Sequence, residues 1–125
     1  DAISGADVIV TNPTHFAVAL SYAVGTDEAP KVIAKGADFM AQKIREKAEE
    51  SGVVIFEQPQ LARALYFTTE INHDIPRALF EAVAEVIAYV FKLNSFNKNG
   101  QSVKKPNLNI PSEMSFDESG NKLNE

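Results

Sequence analysis

A chain of 125 residues, 45% of them hydrophobic, fits one globular domain with a moderate core. It has no cysteine, which excludes disulfides, thiol nucleophiles and thiolate metal sites. Its 17 acidic and 12 basic residues leave a net charge of -5 without a basic stripe, a balance that argues against nucleic acid as a partner.

No apolar run approaches the about 20 residues that cross a bilayer, and no signal peptide is visible. The chain opens at Asp1 without a Met. Such an opening reads as that of an excised fragment, and a membrane anchor further upstream would not be visible in it. Residues 7–11 form an apolar, β-branched block that predicts a strand. Asn12-Pro13-Thr14-His15 follows as a turn. Phe16 to Tyr22 then alternates, with Phe16, Val18, Leu20 and Tyr22 on one face and Ala17, Ala19 and Ser21 on the other. Gly25-Thr26-Asp27-Glu28 is a second turn signal, and Lys31 to Ala34 a third strand closing a hairpin.

Ala37 to Ser51 reads as a helix with Phe39, Met40, Ile44 and Ala48 on its apolar face and Gly52 as its stop. Val53 to Phe56 is a fourth, fully apolar strand. Pro59 opens a short helix to about Phe67, and Asn72-His73-Asp74 is a polar break. The last helix runs from Pro76 to about Leu93. Leu79, Val83, Val86, Val90 and Leu93 give it one apolar stripe. Phe80, Ala84, Ile87 and Phe91 give it a second, roughly 100° round. One stripe faces the sheet; the other meets neighbouring helices or stays open to a partner. From Asn94 the chain turns rich in Asn, Ser and Lys, with Pro106 and Pro111 and little periodicity. Residues 94–125 thus read as a disordered, flexible tail, and 7–93 as the globular domain.

The chemistry concentrates in the first turn. Asn ordinarily degrades when the following backbone nitrogen attacks its side chain, but Pro13 has no N–H. The reverse route stays open. The Asn12 side-chain nitrogen can attack its own carbonyl carbon, close a succinimide and expel the Pro13 nitrogen. That needs a near-attack approach of about 3–3.5 Å, which a strained turn can supply. His15 is near enough to move a proton or orient the amide; an unperturbed imidazole titrates near pH 6.5. Thr14 contributes a hydrogen bond or shape. The competing reading is an Asn-Pro dipeptide that merely turns the chain. With two histidines and no cysteine, neither a metal site nor a cofactor is expected, and His73 reads as a loop histidine.

GADVIVTNPTHFAVALSY, APKVIAKGAD, PQLARALY and IPRALFEAVAEVIAYVF resemble the cytoplasmic domain of the FlhB/YscU family over about residues 5–93. The wording is nearer the flagellar FlhB branch than the virulence-injectisome branch. The resemblance implies an α/β fold: a small four-stranded sheet surrounded by helices. It implies a component of the type III export apparatus, facing the cytoplasm from the bacterial inner membrane through an N-terminal transmembrane region absent here, with residues 1–6 as the end of the linker from that membrane segment. Self-cleavage between Asn12 and Pro13 is implied, a single-turnover event rather than turnover catalysis, with the halves staying together. It would permit a switch of export substrates involving a hook- or needle-length control protein and other export apparatus components. An apolar patch for export substrates is implied at Ala29, Pro30, Ala84 and Ile87. Two alternatives stand beside this: a non-cleaving interaction domain, and an α/β enzyme using His15 with Glu57 or Asp7.

Overall fold

The computed structural model describes residues 2–23, 26–96 and 104–123. After a 3-10 turn at Ile3–Gly5 come β1 (Val8–Asn12), β2 (Phe16–Ser21) and β3 (Lys31–Ala37). Then follow α1 (Phe39–Ser51), β4 (Val54–Glu57), α2 (Pro59–Thr68), β5 (His73–Asp74) and α3 (Phe80–Phe96). The strands form one mixed sheet in the order β4-β1-β2-β3-β5. β1 pairs antiparallel with β2, from Val8↔Leu20 to Asn12↔Phe16, and parallel with β4, from Val8↔Val54 to Thr11↔Glu57. The strand that ends at the Asn-Pro turn is therefore held along both edges.

Helices cover both faces of the sheet. Val8, Val10, Val18 and Leu20 point toward α2 and α3, where they meet Leu61, Leu65, Leu79, Val83 and Val86. Ile9, Ala17 and Ala19 point the other way, onto Ala41, Ile44 and Ala48 of α1. Two-sided burial is why β1 and β2 are apolar on both alternating sets. The small residues lie on the α1 side, so that helix sits close: a Cβ added to Gly36 would come 2.7 Å from the Met40 Cβ.

The α/β architecture and the four expected strands are present, with a fifth, two-residue strand in the segment expected as a polar break. The third strand runs on to Ala37, which delays the first helix to Phe39. That shift rotates the helix's buried face to Ala41, Ile44 and Ala48, leaving Phe39 66% exposed and Met40 half exposed. Gly52, at φ +73, ends α1 with its N–H shared between the carbonyls of Ala48 and Glu49. The last helix is preceded by a 3-10 turn, Arg77–Leu79.

The tail differs most from expectation. Residues 97–103 and 124–125, like Asp1 and Val24-Gly25, lie outside the described residues. Residues 104–123 lie on the domain. Leu108, Ile110 and Met114 pack against the α2/α3 core, and Phe116 is only 8% exposed. These apolar residues sit on irregular backbone, so no helical or strand period announces them.

Candidate functional site

The Asn12-Pro13-Thr14-His15 turn closes the β1–β2 hairpin. The His15 N–H donates to the Asn12 carbonyl at 2.9 Å. Pro13 stands at the second position and Thr14 has φ +72 at the third, the pattern of a type II turn. Gly is the usual third residue, because φ > 0 crowds a side chain; a β-branched Thr there is an outlier. Strain of this kind is on the order of 1–3 kcal/mol. The turn is fixed from outside: the Asp38 N–H donates to the His15 carbonyl at 2.8 Å, and Asp38 itself has φ +51. The Gln58 N–H donates to the Thr11 carbonyl at 2.9 Å, just before the turn.

Asn12 is 5% exposed, whereas Pro13, Thr14 and His15 are exposed. The Asn12 Nδ2 donates to Glu118 Oε2 at 3.3 Å. The other Glu118 oxygen lies 3.4 Å from His15 Nε2, and Asp38 Oδ1 lies 3.6 Å from His15 Nδ1. All four expected turn residues are thus together, joined by two carboxylates that local sequence did not mark. Asp38 fell inside the helix expected from Ala37 and carried no signal of its own. Glu118 had none. The enzyme alternative loses its Asp partner: Asp7 lies at the far end of β1, accepting from the Tyr22 N–H at 2.6 Å. Among the described residues no three His, Asp or Glu side chains are grouped closely enough to hold a metal ion.

Glu118 is delivered by a built loop. Phe16, Phe67 and Phe116 form a chain of ring contacts, at 5.3 and 5.9 Å, from β2 through α2 to the tail. Arg63 Nε donates to the Phe116 carbonyl at 2.6 Å. Phe116 and Lys122 form an antiparallel bridge, and Asp117 Oδ1 accepts the N–H groups of Ser119 and Asn121, each at 2.9 Å. The Asn121 N–H, with smaller help from Ser119, Gly120 and the Asn121 side chain, holds the Asp117 carboxyl below its ordinary range. Gly120 turns the loop at φ +89, where a side chain would be strained, and a Cβ there would press on the Phe67 ring at 3.0 Å.

A second feature lies at the other end of β2. A groove of about 460 Å³ opens between the segment before β3 and the second stripe of α3. Ala29, Pro30, Ala84 and Ile87 all line it, so the four expected patch residues meet in space. Tyr22, Phe80 and Phe91 extend its apolar wall, and Asp27 and Glu28 add an acidic edge. Pro30 and Ile87 are buried, Ala84 is exposed, and the two Phe rings are each about 40% exposed. The second stripe is therefore divided between core and open surface. At 4% exposed, Ile87 serves the core as well as the groove.

A sequence profile described as the FlhB HrpN YscU SpaS Family matches residues 1–90. The flagellar biosynthetic protein FlhB of Salmonella typhimurium is 50% identical over 113 residues, covering 89% of this chain and 30% of that protein. The flagellar biosynthetic protein FlhB of Bacillus subtilis is 49% identical over 87 residues, 70% of this chain and 24% of that protein. The chain thus spans under a third of these relatives' length. Among solved structures, the cytoplasmic domain of FlhB from Shewanella putrefaciens superposes with a TM-score of 0.83 at 46% identity, covering 91% of this chain and 90% of that one. A mutated EscU C-terminal domain superposes with a TM-score of 0.67 at 37% identity, covering 70% of this chain and 87% of that one.

Proposed function

The chain belongs to the FlhB HrpN YscU SpaS family, and from that membership we propose that it is the cytoplasmic domain of a flagellar type III export gate protein. It cuts itself once, between Asn12 and Pro13, and cutting permits the switch between classes of export substrate. The full protein is held at the cytoplasmic face of the bacterial inner membrane by segments upstream of this domain. The observation that carries the reading is the Asn-Pro peptide set in a turn with a β-branched residue at positive φ.

The two pieces have reason to stay together. β1 keeps its ladders to β2 and β4 whatever happens at Pro13. Val8, Ile9 and Val10 are fully buried, each contributing about 1.5–3 kcal/mol. The cut relieves the turn and frees new ends without removing a strand. Purified protein is therefore expected to show, under denaturing conditions, fragments of residues 1–12 and 13–125, and under native conditions one complex of their summed mass. A single unbroken chain after prolonged incubation at neutral pH would leave the interaction-domain alternative standing.

The groove is the docking place for export substrates in this reading, and a hook-length control protein and other export apparatus components are the further partners. Ala84 is the position that tests it. Its side chain is exposed in the groove, so Ala84→Asp is expected to shift stability by less than about 1 kcal/mol. Placing a charge against an apolar ligand should weaken substrate binding at least about 10-fold. Titration calorimetry with a purified export substrate measures this; unchanged affinity rejects the groove. Ile87→Asp is the poorer probe, because it would put a charge into the core.

A further inference from the structure

We propose that Glu118 is the general base of the self-cleavage, so that the C-terminal segment completes the site at the first turn. This inference rests on the self-cleavage reading and adds a residue to it. The Glu118 carboxylate is an acceptor of the Asn12 Nδ2–H at 3.3 Å, in contact with the atom that must become the nucleophile. An amide nitrogen attacks poorly because its lone pair is delocalised. A carboxylate on its N–H withdraws the proton as the new bond forms. The contact is not an accident of a loose end: the bridge, the Asp117 turn, the Arg63 hydrogen bond and the seated Phe116 ring all fix the loop that carries it.

The Asn12 Nδ2–C bond forms while one Nδ2 proton passes to Glu118. The bond from the Asn12 carbonyl carbon to the Pro13 nitrogen then breaks, and that nitrogen takes up a proton to leave as a secondary amine. The proton that Glu118 takes from Nδ2 is balanced by the one returned to the Pro13 nitrogen, so the carboxylate is regenerated; its second oxygen lies 3.4 Å from His15 Nε2. Asn12 is left as a C-terminal succinimide, which water opens. General-base assistance contributes typically 10²–10⁴-fold.

The test times cleavage of freshly synthesised protein by pulse–chase in a cell-free system, with Glu118→Gln beside the wild type. Gln keeps an oxygen that can accept from Asn12 but lacks basicity. Cleavage is expected to slow about 100-fold. Glu118→Ala is expected to slow similarly and to recover in proportion to added formate, a response that a merely structural role would not give. A Glu118→Gln rate within about threefold of wild type overturns the proposal, and so does faster cleavage, which would make the carboxylate a restraint on Asn12. Failure of the underlying reading looks different, because the wild type itself would then stay whole.

Discussion

Asn12→Ala is expected to leave one chain of full mass under denaturing conditions, with cleavage at least about 10³-fold slower than wild type. The substitution removes the nucleophile of the proposed self-cleavage. Well-placed intramolecular groups act with effective molarities on the order of 10⁵ M or more, and no other side chain of the turn offers a nitrogen that can close a five-membered imide on the same carbonyl. The fold should survive. Asn12 ends β1, and its side chain gives up one hydrogen bond, to Glu118, a loss on the order of 1 kcal/mol. Time-resolved mass measurement of denatured protein reads the result. Fragments still meeting directly before Pro13 in this variant would assign the cut to another agent, such as a protease.

Leu79→Ala is expected to be the most damaging of the stability variants, costing about 2–5 kcal/mol. Leu79 is fully buried in the 3-10 turn that launches α3, within the cluster of Val8, Val10, Leu65 and Val83. A domain of this kind holds about 5–15 kcal/mol in all, so the melting temperature should fall on the order of 10 °C or more. The loss reaches the groove, because α3 carries Ala84 and Ile87. Met40→Ala is the matched contrast. The helical pattern alone assigns Met40 to a buried face, but it is more than half exposed, and its truncation should move stability by less than about 0.5 kcal/mol. Chemical denaturation of both variants measures the difference; equal losses would contradict the packing of α1.

The contrast between Leu79 and Met40 shows where local pattern suffices. The stripe of Leu79, Val83, Val86, Val90 and Leu93 is long enough that its buried side could be read directly: the first four are buried, and Leu93, near the end of α3, is partly buried. The first helix has a weaker pattern, and three residues of extra strand before it were enough to turn its face. β3 reaches Ala37 because it pairs with β2 down to Phe16↔Ala37, a partnership that no window centred on Ala37 contains. The tail behaved in the same way. Phe116 has no periodic neighbours, yet it finds a place beside Phe67.

Sequence alone determined the chemistry available at the first turn. A carboxamide followed by a ring nitrogen without hydrogen is a property of two covalently joined residues, and it needs no fold to be legible. It determined β1 as an apolar, β-branched block, the alternation of β2 and the apolar stripes of α3, because those patterns lie within a few residues. Only the tertiary structure decided that β1 lies between two partners, that Ala29 and Pro30 share a groove with Ala84 and Ile87, and that Glu118 meets Asn12 from 106 positions away. Such contacts come from shape and burial among distant segments, and the spacing of residues along a chain carries no record of them.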